Sequence, residues 1–291
     1  MIKRKHLLIG GSVILVLVCG GLWFRSFSSQ PKRVFWDMMS NNLSTSGVTR
    51  VVSQNSNAMN VSQYMQLNLG VNPTAHSLTI LKQGSGTIET EQISNRGNDF
   101  VRYKDIVIGQ KAGAGKPIDV SSVVGKWARL GKDDALSSAV TSGLFDQSLL
   151  GIVPIANLQP EARNRLLTYM KDNDVFGFDA AAVKHTTLDG RRVYAYDISI
   201  QPAVYVALMQ QFSELVGATQ YSSLDPTSYA GAAAQKATFY VDVASHELSS
   251  ISQTSSGHTE TYKGFGIVSH TSLPKADFST TELEKRITNL R

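Results

Sequence analysis

A single uncharged run near the amino terminus constrains this chain more than any other feature. The run from His6 to Phe24 has no charged side chain unless His6 is protonated. At about 1.5 Å per helical residue, a run of this length crosses the roughly 30 Å hydrocarbon core of a bilayer. The sequence therefore predicts a membrane-spanning helix, with residues 7–24 in contact with lipid.

The basic residues around this run predict its orientation. Lys3, Arg4 and Lys5 precede the run, and Arg25 follows it. Basic residues collect on the cytoplasmic side of membrane helices, so we expect a cytoplasmic amino terminus. The predicted protein is then a single-pass protein of the cell membrane, and its main domain is extracytoplasmic.

Three segments follow from this reading. Residues 1–25 form the basic tip and the anchor, residues 26–32 form a short linker, and residues 33–291 form the extracytoplasmic domain. Ser26-Phe27-Ser28 would also suit a signal peptidase, which cuts after small residues. A cleaved signal peptide is therefore the alternative to a retained anchor.

Composition excludes several classes of function. Cys19 is the only cysteine, so the predicted domain has no disulfide, no thiol nucleophile and no thiolate ligand for a metal. Once the three basic residues before the anchor are set aside, 25 basic side chains face 23 acidic ones. A nearly neutral domain outside the cytoplasm predicts no nucleic-acid partner.

Two periodicities predict an α+β domain. Apolar and polar residues alternate over 61–69, which is typical of an antiparallel strand with one wet face. Further strands are predicted at 48–54, 76–82, 87–94, 100–108, 237–243, 248–254 and 259–269, with a hairpin at 175–200 that turns at Asp189-Gly190. Helical spacing predicts helices at 32–43 and from Asp133, Pro160, Pro202 and Ser279.

Some patterns resemble catalytic or metal sites without completing them. Gly109 to Pro117 lacks the first glycine and the final serine or threonine of a phosphate-binding loop. His246-Glu247 lacks the second histidine of a zinc protease motif. The sequence predicts no enzyme, no metal and no cofactor, although a metal cluster that includes His258 and His270, or a hydrolase with paired carboxylates, stays open.

Three short stretches resemble the exported lipoprotein carriers of the LolA and LppX/LprG type. They are Gly125–Leu130 around a central tryptophan, the tyrosine-rich hairpin Leu188–Tyr196, and the strand-turn-strand Thr238–Leu248. The resemblance implies a curved antiparallel sheet, a half-barrel, with helices on its concave face and apolar ligands held between them. The chain departs from the family at Cys19, because Val18 precedes it where lipidation needs a small residue.

The apolar stripes of the predicted helices supply the candidate ligand-binding residues. These are Phe35, Met39, Leu166, Met170, Leu208 and Phe212. The predicted function is non-enzymatic binding of a lipid or another hydrophobic molecule at the outer surface of the membrane that holds the anchor.

A solid core would favour a different function. The same apolar residues would then only fill the space under the sheet, and the alternative is a surface interaction or scaffold domain with a protein or cell-wall partner. A cavity of about 300 Å³ or more between sheet and helices distinguishes the two functions.

Overall fold

A computed structural model describes residues 29–56, 58–109, 118–130, 144–218, 220–253 and 255–289. The predicted anchor at residues 7–24, the loop at 110–117 and most of the helix predicted from Asp133 lie outside these residues. None of the helices in the described ranges is both long enough and apolar enough to cross a bilayer.

The described strands join in one large, open, curved sheet. They are β1 (Gly47–Asn55), β2 (Asn60–Asn68), β3 (Thr74–Gln83), β4 (Gly86–Asn95), β5 (Asn98–Val107), β6 (Ala128–Leu130), β7 (Phe176–Gly177), β8 (Lys184–Leu188), β9 (Arg191–Ile200), β10 (Gln235–Asp242), β11 (Leu248–Gln253), β12 (His258–Lys263) and β13 (Phe278–Ser279).

The strand order shows that the sheet is mixed. Neighbouring strands follow the order β13-β6-β5-β4-β3-β2-β1-β12-β11-β10-β9-β7, and β8 also pairs with β9. Every pair is antiparallel except β13 with β6, where Phe278 lies opposite Ala128. The prediction of a wholly antiparallel sheet was therefore wrong at one edge. The irregular segment 264–277 carries the chain from β12 to that edge, where β13 enters in the same direction as β6.

The described helices are α1 (Pro31–Asn42), α2 (Leu144–Ser148), α3 (Pro160–Asp172), α4 (Pro202–Val216) and α5 (Thr280–Thr288). Two 3₁₀ turns occupy Ala180–Ala182 and Pro226–Tyr229. Both α3 and α4 begin at the predicted prolines, since a missing N–H costs nothing at the first helical position. Ser279 caps α5 by accepting a hydrogen bond from the Glu282 amide, as its capping-box sequence predicts.

Local backbone geometry explains one confirmed turn and one misplaced strand end. Asp189 and Gly190 have φ angles of 50° and 76°, so both take the left-handed conformation of a tight hairpin turn between β8 and β9. Strand β12 ends at Lys263, although the alternation predicted a strand to 269. Gly264 and Gly266 also have positive φ, which ends the strand early.

One face of the sheet, called the inner face below, packs against α1, α3 and α4. On β9 and β10 the opposed pair Tyr196 and Phe239 points to this face. The ring of Phe35 on α1 lies 5.3 Å from the Tyr196 ring and 6.4 Å from the Phe239 ring, between centroids. Aromatic side chains bury large apolar areas, so this layer forms the centre of the core.

Two tyrosines of β9 hold the chain where it enters the domain. The Tyr194 hydroxyl donates to the Ser29 carbonyl oxygen at 2.5 Å, and the Tyr196 hydroxyl donates to the Pro31 carbonyl oxygen at 2.8 Å. Burial raises the pKa of both tyrosines, so they stay protonated and able to donate. The beginning of α1 is therefore fixed to the sheet.

The substitution Gly47→Ala should destabilise the fold, because a Cβ at this position would lie 2.2 Å from the Ile267 carbonyl oxygen. Neither backbone can yield cheaply, and we expect a loss of about 1–3 kcal/mol in the free energy of unfolding, measured by urea denaturation. Gly231→Ala is the matched control, since no atom lies within 4 Å of its added Cβ. Equal stability of the two variants would contradict the close approach at Gly47.

Candidate functional site

The six candidate residues from the sequence come together in the centre of the core. Phe35, Met39, Leu166, Met170, Leu208 and Phe212 are each 0 % exposed and belong to one hydrophobic cluster. None of them lines either of the two clefts described next. Their contact with a ligand stays a prediction, and the two clefts beside this core have room for a molecule.

The larger cleft, called the apolar cleft below, has a volume of about 410 Å³. It lies between the carboxyl end of α4, the turns after β2 and β4, and the chain from α2 to α3. Its lining consists of Leu69, Gly70, Val71, Pro73, Arg96, Phe145, Leu149, Ala156, Asn157, Leu158, Leu215 and Val216. The volume is within the range of small-molecule sites in proteins.

Arg96 is the one charged side chain among the described residues that line the apolar cleft. Its Nη2 donates to the carbonyl oxygen of Val216, the last residue of α4, at 3.0 Å. A cation is stabilised at the carboxyl end of a helix by the helix dipole. Arg96 is otherwise exposed, so an apolar molecule in the cleft would have one cation beside it.

The second cleft, called the polar cleft below, has a volume of about 280 Å³ and lies on the inner face of β1 to β4 and β12. Its lining consists of Arg50, Val52, Gln63, Met65, Ala75, Ser77, Gln92, Ser94, Gln147, Ser148, Leu150, His258 and Glu260. Helix α2 and the residues after it separate the two clefts, since Phe145 and Leu149 line the apolar one while Gln147 and Ser148 line the polar one.

Arg50 fixes this shared wall. The side chain of Arg50 points from β1 to the inner face and is only 4 % exposed. Its Nη1 donates to the Leu150 carbonyl oxygen at 2.7 Å, and its Nη2 donates to the Ser148 carbonyl oxygen at 3.2 Å. These are carbonyl groups at the end of α2 that have no partner within the helix, so a charged donor satisfies them and holds the helix end in place.

Glu260 is the second buried charge of the polar cleft and is 3 % exposed. Its Oε1 lies 2.8 Å from Nε2 of His258, and its Oε2 accepts a hydrogen bond from the Tyr262 hydroxyl. Burial alone would raise the pKa of Glu260. The hydrogen bonds from His258 and Tyr262 and the charge of Arg50 outweigh that effect, so the pKa of Glu260 is lowered and the carboxylate stays ionised.

The histidines considered as metal ligands lie apart. Nδ1 of His246 is 3.0 Å from a carboxylate oxygen of Asp37 on α1, while His258 pairs with Glu260 inside the polar cleft. His270 is exposed in the segment after β12. Within the described ranges, no three or more His, Cys, Asp or Glu side chains group in a way that could hold a metal ion.

Sequence reasoning missed most of both clefts. Leu69, Arg96, Phe145 and Leu215 are far apart in the chain, and no local pattern joins them. The helical spacing of α4 did include Leu215 and Val216, but as part of a core stripe. Polar residues at inward strand positions, Gln63 on β2 and Arg50 on β1, break the apolar alternation and were available signals for the polar cleft.

The substitution Glu260→Gln should change how stability depends on pH. The folded pKa lies below the ordinary value of 4.5, so the ionised carboxylate stabilises the fold above that pH, and the contribution is lost as the pH falls through the folded pKa. At neutral pH we expect a loss of roughly 1–3 kcal/mol, because an amide is a weaker acceptor for His258 and Tyr262. Thermal unfolding of the variant and the wild type across pH 3–7 measures the difference in stability, because carboxylates titrate within this pH range.

The exposed Asp105→Asn is the control for that experiment, since it removes a carboxylate outside the network. Its stability should follow the wild-type curve. A Glu260→Gln chain with the same pH curve as Asp105→Asn would contradict the role assigned to the buried carboxylate.

Comparisons with known proteins give a resemblance of fold. No family model matches the chain, and no curated protein sequence matches it. Among solved structures, the fold is similar to that of LprF from Mycobacterium bovis, with 11% sequence identity, a TM-score of 0.41, and coverage of 86% of this chain and 97% of that chain. This similarity is one of overall fold and gives no information on a ligand.

Proposed function

We propose that this protein binds a lipid or another hydrophobic molecule at the outer surface of a membrane, without catalysis, and that its helices cover the concave side of the sheet. The observation that carries the proposal is the apolar cleft of about 410 Å³ between α4, α2 and the end of the sheet. It exceeds the volume of about 300 Å³ that a small-molecule site needs.

The chemistry of the lining favours an apolar molecule with a polar or acidic group. Leu69, Phe145, Leu149 and Leu215 supply apolar walls that gain from the removal of water. Arg96 at the rim supplies a guanidinium, which binds carboxylates and phosphates with directed hydrogen bonds. The apolar part would lie against the walls and the acidic part beside Arg96.

The state of Glu260 supports a non-enzymatic role for the polar cleft. A general acid or base works best when its pKa lies near the working pH. The pKa of Glu260 is lowered instead, and both of its oxygens already accept hydrogen bonds from His258 and Tyr262. We therefore propose that Arg50 and Glu260 hold the wall between the clefts in position.

A specific observation favours the alternative function, an interaction or scaffold domain. All six candidate residues on the helices are fully buried in one cluster, so the centre of the layer is filled. Under this alternative the clefts hold only water, and a protein or cell-wall partner binds to an outer surface.

The proposed anchor has a direct test. If residues 7–24 cross the membrane, the full chain should stay in the membrane fraction after extraction with alkaline carbonate, which removes peripheral proteins. A chain that begins at Ser26 should be released as a soluble protein. Release of the full chain by carbonate would contradict a retained anchor and favour a cleaved signal peptide.

The substitution Leu158→Trp tests the apolar cleft. Leu158 is half-buried and lines the cleft, so a larger side chain should fill space there without adding charge. We expect a folded protein that retains several-fold less co-purified hydrophobic ligand, measured by native mass spectrometry of the full chain in mild detergent. Leu208→Trp should instead destabilise by about 1–3 kcal/mol, because that position is already packed.

Met59→Trp is the matched control, since Met59 is exposed and lies outside the cleft. It should retain as much ligand as the wild type. A wild-type protein that carries no hydrophobic molecule, together with a Leu158→Trp variant of unchanged behaviour, would give preference to the interaction-domain alternative.

A further inference from the structure

We propose that the domain contacts the bilayer through the end of the sheet at which the apolar cleft opens. A ligand could then pass directly between the cleft and the membrane. The proposal rests on the proposed function for the anchor and the ligand. The surface itself is identified from strand register, exposure, charge and the point where the chain enters.

Strand register defines which residues share this end of the sheet, called the cleft end below. Gly47 at the start of β1 lies opposite Asn68 at the end of β2, and Thr49 lies opposite Lys263 at the end of β12. Across β11 and β10 the same end is continued by Leu248 and by Val193 near the start of β9. Neighbouring antiparallel strands alternate in direction, so these termini lie along one margin.

Large apolar side chains are exposed at the cleft end. Val71, in the turn after β2, is 98 % exposed and also lines the apolar cleft. Ile267 is 68 % exposed and Val268 is 37 % exposed. Their segment is held to the sheet because the Gly266 amide donates to the Gly47 carbonyl oxygen at 2.9 Å. Exposed apolar side chains at a cleft mouth mark a surface that meets an apolar partner.

Charge at the cleft end matches an anionic lipid surface. Four basic side chains in its turns and strand ends are exposed: Arg96, Arg191, Arg192 and Lys263. Four acidic side chains lie among them: Asp189 is exposed, Asp99 and Glu247 are half-buried, and Asp242 at the end of β10 is buried. Basic residues beside a membrane are attracted to anionic headgroups, while apolar side chains enter the interface between headgroups and acyl chains.

The entry point of the chain places the cleft end near the anchor. Ser29 is held by Tyr194, the fourth residue of β9 counted from the cleft end. The predicted anchor ends at Phe24, and five peptide steps join it to Ser29. At roughly 3.3–3.6 Å per residue, Ser29 lies within about 18 Å of the anchor. A strand of nine residues such as β1 spans about 30 Å, so the opposite end is farther from the attachment point.

The opposite end of the sheet provides a matched control. Met59, Val107 and Ile108 are 40 %, 48 % and 47 % exposed. Met59 lies in the turn between β1 and β2, and Val107 and Ile108 lie at the end of β5, opposite the start of β4. Strand register places these strand ends at the far margin. Apolar exposure alone therefore does not select the cleft end. Exposed lysines, Lys82 and Lys236 among them, also lie at the far end, so the position of the apolar cleft and the point of chain entry make the selection. A measurement at Ile267 against Ile108 tests it.

The experiment uses the full chain in vesicles with Cys19 replaced by alanine. A single cysteine in the variant Ile267→Cys or Ile108→Cys carries an environment-sensitive dye. The vesicles contain phosphatidylcholine with phosphatidylglycerol, or phosphatidylcholine alone, and lipids with spin labels in the headgroup region act as quenchers. We expect blue-shifted emission and strong quenching for the dye at position 267 and little change at position 108. Removal of phosphatidylglycerol should weaken the effect.

Equal quenching at the two positions, or stronger quenching at position 108, would overturn the inference. A second measurement follows transfer of a fluorescent fatty acid from vesicle to protein. Ile267→Asp should slow the transfer several-fold relative to Ile108→Asp while the amount bound in detergent stays the same. A chain that holds no ligand but is quenched at position 267 ends the ligand proposal alone. A chain that holds ligand without quenching at position 267 ends this inference alone.

Discussion

The helices cover the inner face of the sheet unequally, and this unequal packing determines where the two clefts lie. Over β9 and β10 the inner face is packed by α1, α3 and α4, and the aromatic layer around Phe35 fills the space. Over β3 and β4 the described cover is the short helix α2. Protein interiors pack as densely as organic crystals, so space opens at the margin of the cover and not at its centre. Both clefts lie along that margin.

The two buried charges of the polar cleft give this margin a fixed shape. A buried charge is expensive unless it is paired or hydrogen-bonded. Arg50 donates through both Nη atoms to carbonyl groups about a hundred residues later in the chain, and Glu260 accepts from His258 and Tyr262 on its own strand. The two Nη atoms of Arg50 need the carbonyl groups of Ser148 and Leu150 in their present positions, because displacement of these carbonyl groups would break both hydrogen bonds. The wall that separates the two clefts is therefore held by electrostatics, beside the sheet region that α2 alone covers among the described helices.

Local signals predicted much of the fold. Alternation located most strands within two residues, and the prolines at 160 and 202 and the Asp189-Gly190 turn set boundaries that the structure confirms. The clefts were different, because helical periodicity selects the positions that face most directly inward. Those positions, such as Leu208 and Phe212, are fully packed. Cleft residues such as Arg96 and Phe145 lie at the edges of such stripes or in turns, and only tertiary structure brings them together.

The pairing of β1 with β12 has a consequence for the order of folding. Thr49 lies opposite Lys263, so the strand nearest the amino terminus is hydrogen-bonded on one side to a strand more than two hundred residues later. A chain that emerges amino terminus first can form the meander β1 to β5 early, because those contacts are local. It cannot complete the sheet until β12 has emerged. Until then one edge of β1 has unpaired backbone groups, a template for association between chains. The time between synthesis of β1 and synthesis of β12 is thus a period of aggregation risk. A chaperone that shields this edge of β1 would raise the yield of folded protein.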